Sequence, residues 1–190
     1  SLPRACSASS AQAVAVPLAT DAGHDLDAMA AAIDERTRLV IVCNPNNPTG
    51  TVYTEEELRM VAEFCRDHGL FLVADEVYRE LVFDGRQHVS ALSLAGFEDN
   101  VVVVDSLSKR YSACGIRLGS LATRNGEVYQ AALRMAQGRL SPPGLAQLVA
   151  SGAVERELRA AVGAESRARV VRVRLLETRR NFFSCGEAEA

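Results

Sequence analysis

Residues 38–50 read RLVIVCNPNNPTG. RLVIVC (38–43) is an apolar run rich in β-branched side chains, the mark of a strand buried on both faces. The next seven residues hold three asparagines, two prolines and a glycine, so the strand ends in a sharp polar turn. X-Pro bonds take the cis form far more readily than other peptide bonds, and a cis Asn47–Pro48 bond would aim the Asn47 side chain inward. A buried strand ending in polar side chains is a scaffold with chemistry at one end, or a tight turn without a ligand.

Reading outward, helices and strands alternate. Thr54 and Glu57 form a T-x-x-E capping box. Leu58, Val61, Ala62 and Cys65 follow at helical spacing, and Gly69 is the expected stop. LFLVAD (70–75) and NVVVVD (100–105) are further buried strands, and GIRLGSLAT (115–123) is a shorter one. Upstream, AVAVPL (13–18) is a strand candidate, and DLDAMAAAI (25–33) is a helix capped by Asp25. Helices are expected over 125–138 and 143–163. This alternation predicts an α/β fold with a mostly parallel sheet. In such sheets ligands lie beyond the carboxyl ends of the strands. Asn44 to Asn47, Asp75, and Asp105 to Lys109 should therefore share one rim.

Lys109 is the only lysine, against 20 arginines. An amine forms a Schiff base with an aldehyde, which a guanidinium does not. Arginine-biased codon usage would also leave few lysines, so rarity alone decides nothing. Its surroundings, DSLSKRYSACGIRLG (105–119), say more. Ser106, Ser108 and Arg117 offer hydroxyls and a guanidinium suited to an organic phosphate, although an ordinary surface loop could also contain them. Asp75, ending a buried strand, needs a partner such as a protonated ring nitrogen, or else caps the following turn. Tyr78 could return its hydroxyl to the same ligand, or simply pack.

NPNNPTG, DEVY and SLSKRYSACGIRLG, in this order, resemble the class I/II pyridoxal-phosphate-dependent aminotransferases of the aspartate aminotransferase fold type. The resemblance covers residues 13–150 and is strongest to bacterial aspartate and histidinol-phosphate aminotransferases. It implies a three-layer α/β sandwich, the fold type I large domain, here incomplete. The cofactor implied is pyridoxal 5'-phosphate. Lys109 would be the Schiff-base lysine and proton shuttle, and Asp75 the partner of the pyridinium nitrogen. Asn47 and Tyr78 would bond the phenolic oxygen, and Ser106, Ser108 and Arg117 the phosphate. The implied activity moves an amino group between an amino acid and a 2-keto acid by ping-pong kinetics, in a homodimer. RLSPPG (139–144) would lie near the subunit interface. A C–S lyase or a decarboxylase would use the same residues, and a non-catalytic cofactor-binding fragment is the third reading. The family's phosphate loop and ring-stacking aromatic have no counterpart before residue 44.

Residues 1–150 thus read as part of a cofactor-binding large domain. Residues 151–190 read as an arginine-rich helical segment leading toward a missing or truncated small domain, with eight arginines between 156 and 180. That basic face is read as solvated, since nothing aromatic accompanies it. A formal net charge of -3 gives no global pull toward nucleic acid or membrane. Five widely spaced cysteines fit a reducing, cytoplasmic setting better than a disulfide framework. No P-loop, G-x-G-x-x-G, G-x-S-x-G or H-E-x-x-H motif is present, nor a signal peptide or apolar spanning run. The initial Ser suggests a fragment or a processed product.

Overall fold

In a computed structural model of the chain, residues 11–17, 24–138, 144–148 and 150 are described, together with the backbone of 169–174 and 184–186. Two compact units divide the chain, residues 1–37 and 38–190. In the first, α1 (Leu26–Ala32) starts at Asp25, whose carboxylate accepts from Ala28 N at 2.9 Å. Asp34, Arg36 and Thr37 close the unit with an exposed hydrogen-bonded turn. Residues 13–17 take no strand conformation, contrary to the expectation for AVAVPL, and Leu18 lies outside the described residues. Six of the seven residues from 11 to 17 are exposed and the seventh is half-buried, and β-propensity is realised only where a strand packs against neighbours.

The second unit holds the sheet. Its strands are β1 (Leu39–Cys43), β2 (Phe71–Asp75), β3 (Val101–Ser106), β4 (Gly119–Thr123), β5 (Arg169–Arg174) and β6 (Ser184–Gly186), in that spatial order. β1, β2 and β3 run parallel, with Cys43 opposite Asp75 and Asp75 opposite Val104. β4, β5 and β6 each join antiparallel. The parallel half forms because a helix, α2 (Glu55–Asp67), carries the chain from β1 back to the start of β2. Only the short helix α3 (Leu107–Arg110) and a 3-10 turn separate β3 from β4, so β4 must reverse direction.

Local signals set the edges of α2. Thr54 Oγ1 accepts from Glu57 N, and Glu57 Oε2 accepts from Thr54 N at 2.7 Å, completing the capping box. Gly69 ends the helix at φ +65°, where a side chain would be strained. Leu58, Val61, Ala62 and Cys65 are all buried, as their spacing predicts, and Phe64 joins them. They pack toward β2, whose Leu72 and Ala74 are also buried. Each large aliphatic side chain sealed in this layer contributes about 1.5–3 kcal/mol. α4 (Gly126–Gly138) packs on β4 and β5 and buries Tyr129.

Two expectations need correction. β1 is not buried on both faces: Leu39 and Ile41 are 46% and 36% exposed, while Val42 on the other face is buried. An apolar run reports what a strand can bury, not what covers it. The arginine-rich segment is not helical at 169–174, which forms β5. Its last four residues, VRVR (171–174), alternate at the strand period, and Val171 stands in register with Leu121. Residues 151–168, the core of the expected tail helix, lie outside the described residues. So does all of RLSPPG but Gly144, while 144–148 and 150 are helical as expected.

Candidate active site

Parallel register brings the carboxyl ends of β1, β2 and β3 side by side, so Asn44, Asp75 and Asp105 open onto one rim. Antiparallel β4 begins at the same rim: Gly119 pairs with Ser106, which places Arg117 just before it. Every residue singled out in the sequence therefore belongs to one edge of the sheet.

At the β1 exit, both Asn44–Pro45 and Asn47–Pro48 are cis; only the second was anticipated. Asn47 reaches across to the β2 exit, where its Nδ2 donates to the Tyr78 hydroxyl at 2.8 Å. Asp75 is half-buried, and its Oδ1 accepts from Val77 N at 3.2 Å. It therefore braces the turn leading to Tyr78, and among the described residues its Oδ2 makes no hydrogen bond, which leaves it able to meet a ligand. Capping and ligand binding are compatible for this residue.

The β3 exit carries the amine. Ser106 caps α3, accepting from Ser108 N at 3.1 Å. Its hydroxyl lies 2.9 Å from Ser108 Oγ and 3.1 Å from the Leu118 carbonyl, so the two serines form a pair. Lys109, one residue on, is exposed, and its Nζ lies 5.8 Å from the centre of the Tyr78 ring. Its amine makes no hydrogen bond or ion pair among the described residues. Arg117 adopts the left-handed region at φ 57°, ψ 41°, unusual for a non-glycine residue and typical of functional sites. Its guanidinium donates to the Cys114 carbonyl at 2.9 Å and to neither serine. The structure thus joins Asn47, Tyr78 and Lys109, and separately Ser106 and Ser108, while Arg117 stands apart from the serine pair.

Sequence reasoning missed the pair that holds α3 in place. Arg110 Nη2 lies 2.5 Å from Asp105 Oδ2, with both side chains largely buried, and its Nε lies 3.6 Å from Glu80. Burial pushes the Asp105 carboxyl above the usual aspartate range, against the pull of Arg110. An acid ending a buried strand five residues before an arginine was the available signal. Gly119 was also missed as a packing residue: a Cβ there would meet the Asp105 carbonyl at 2.9 Å. Among the described residues no cluster could hold a metal ion, and no helix is long and apolar enough to cross a membrane.

Residues 1–183 match the family model described as aminotransferase class I and II. The chain is 40% identical over 151 residues to the aromatic amino acid aminotransferase of Rhodococcus erythropolis (strain PR4 / NBRC 100887), covering 80% of this chain and 39% of that one. It is 35% identical over 113 residues to the aspartate aminotransferase of Bacillus subtilis (strain 168), covering 59% and 28%. The solved structure of aspartate aminotransferase from Thermus thermophilus with maleate superposes with a TM-score of 0.70 at 29% identity, covering 84% of this chain and 42% of that one. The chain thus spans less than half the length of each. A mixed α/β sheet whose rim carries the lysine, the aspartate and the asparagine–tyrosine pair accompanies a family match over nearly the whole sequence, and the chain belongs to the class I and II aminotransferases.

Proposed function

We propose that this chain carries the cofactor-binding part of a pyridoxal-phosphate-dependent aminotransferase, which moves an amino group between an amino acid and a 2-keto acid. The observation that carries this reading is the approach of the lone lysine amine to Tyr78, whose hydroxyl is already fixed by Asn47. The donor set fits the cofactor. It supplies one amine, one carboxylate, a phenol–amide pair and two adjacent hydroxyls on neighbouring strand exits. Ser106 and Ser108 would hold the phosphate, and Arg117, whose guanidinium donates to the Cys114 carbonyl, would have to turn to join them. Asn47 and Tyr78 would hold the phenolic oxygen, and Asp75 would accept the ring nitrogen's proton as a hydrogen bond.

When bound, pyridoxal phosphate supplies an aldehyde for an amine and a ring that draws electrons from the substrate α-carbon. Lys109 Nζ acts first as the anchoring amine. Once released, Nζ would take the proton from the substrate α-carbon and deliver it to the cofactor's former aldehyde carbon. Among the described residues no carboxylate pairs with this amine. The Asp75 carboxylate would hold a proton on the ring nitrogen, since an opposite charge beside it favours the protonated ring. As in its family, the assembled protein would work as a homodimer.

The test is incubation with pyridoxal phosphate, borohydride fixation and peptide mapping. The label should fall on Lys109 and vanish in Lys109→Ala. A label confined to the amino terminus, or cofactor-saturated protein with Lys109 unlabelled, would overturn the assignment.

A further inference from the structure

Glu76 follows Asp75 and is only 1% exposed. Its Oε1 accepts from Ser90 Oγ at 2.9 Å and from Ala91 N at 2.8 Å. Among the described residues its Oε2 has no hydrogen-bond partner, and neither has Nε2 of His88. These two atoms lie 3.7 Å apart, on side chains 1% and 9% exposed. The Asn44 backbone favours a proton on the His88 ring, and because Nε2 is the nitrogen that faces Glu76, a neutral ring that accepts there carries its proton on Nδ1. Asn44 holds the same segment a second time, its Nδ2 lying 3.5 Å from the Val89 carbonyl. The Asn44 Oδ1 accepts from Tyr53 N at 2.9 Å.

The distance alone fits an ion pair or a neutral pair. Burial decides between them, since two charges at this depth lose more hydration than one contact returns. Desolvation pushes Glu76 up to about 7, helped by Asp105 and opposed by the Ala91 and Ser90 hydrogen bonds and by Arg79. Desolvation also pushes His88 down to about 4, helped by Arg79 and Arg110. A neutral ring that donates through Nδ1 leaves Nε2 a bare acceptor. One proton on Glu76 Oε2 then satisfies both orphaned atoms, after a small rotation that closes the 3.7 Å gap.

We propose that Glu76 and His88 share a single proton, donated from Oε2 to Nε2, and that this pair is a positioning clasp. It fastens residues 88–91 to the exits of β1 and β2, from which Asn47, Asp75 and Tyr78 reach the candidate site. Glu76 and His88 touch no substrate; they act through the residues that would. The functional consequence rests on the cofactor reading above, but the shared proton does not.

The pH window follows from linkage. The Glu76 pKa is raised on folding, so its stabilising contribution is complete below 4.5 and is lost as pH rises through about 7. That of His88 is lowered, so its contribution is complete above 6.5 and is lost as pH falls through about 4. Between these limits the pair keeps its one proton.

The experiment is long-range nitrogen–proton NMR of the histidine rings in the 190-residue chain, with the Asn47 side-chain amide followed in parallel, from about pH 5 to about pH 8. The wild type is compared with Glu76→Gln, whose amide can replace the shared proton. We expect His88 to stay neutral with Nδ1 protonated and Nε2 accepting. Its ring shifts and the Asn47 amide should move together near pH 7 in the wild type and stay flat in Glu76→Gln. An imidazolium at His88 near pH 6, an Nε2–H tautomer below pH 7, or the same Asn47 titration in both proteins would overturn the proposal. If Glu76→Gln does not fold, the wild-type tautomer still decides. Failure to bind pyridoxal phosphate would sink the cofactor reading and leave the NMR result standing.

Discussion

Replacing Gly119 by alanine tests the packing on which the candidate site depends. Gly119 opens β4 opposite Ser106, and a Cβ built there stands 2.9 Å from the Asp105 carbonyl oxygen and 3.9 Å from Ser106 Cβ. The first distance lies well inside van der Waals contact, and the atom it meets is backbone, not the end of a flexible side chain. β3 cannot yield easily, because β2 pairs with it on the far side. Relief therefore means parting β3 and β4 by about half an ångström, and forced overpacking of this kind costs about 1–3 kcal/mol. Gly119 does not occupy the left-handed region, so alanine recovers about 0.4–1 kcal/mol by restricting the unfolded chain. The net loss is about 1–2 kcal/mol, a factor of about 5–30 in the folded-to-unfolded ratio. Urea unfolding measures it, with Gly115→Ala as control, because a Cβ at Gly115 meets nothing within 4 Å. Gly119→Ala should lower the midpoint, leave Gly115→Ala near wild type, and weaken pyridoxal phosphate binding as Ser106 shifts. Equal midpoints for the two variants would refute the steric reasoning.

Two further outcomes are expected. Arg110→Ala strands the largely buried Asp105 carboxylate and should cost about 3–5 kcal/mol. The folded Asp105 pKa is already raised, and losing Arg110 raises it further, so the variant should become still less stable relative to wild type as pH rises. A urea-midpoint difference that stays constant from acid to neutral pH would count against this account. Thiol labelling with peptide mapping should modify exposed Cys114 in the native protein and leave Cys65 untouched until unfolding. Burial pushes the Cys65 thiol up to about 12. Rapid native labelling of Cys65 would show that the α2–β2 layer opens.

What was legible in the sequence was local. The capping box at Thr54, the stop at Gly69, the Asp25 cap and the apolar stripe of α2 all depend on neighbours within a few residues, and each appears as read. The β1 turn and the lysine-bearing segment were equally readable, since each motif is contiguous. AVAVPL failed because strand propensity needs a partner strand. The tail failed at RVVRVR because arginine content masked a two-residue alternation. Arg110 and Asp105 lie five apart and were both in view, but nothing in the spacing says that their side chains are buried.

The sequence by itself determined the α/β alternation, the residues at the strand exits and, through three ordered motifs, the family. Those properties follow from short-range backbone preferences and from contiguous side-chain chemistry. Only the tertiary structure decided that β4 turns antiparallel to close the rim, that Asn47 meets Tyr78 across 31 residues, and that Leu39 and Ile41 face solvent. It alone set Glu76 against His88 in a site dry enough to make their shared proton matter. Register, burial and dielectric are properties of what lies alongside a residue in space, and a linear sequence does not carry them.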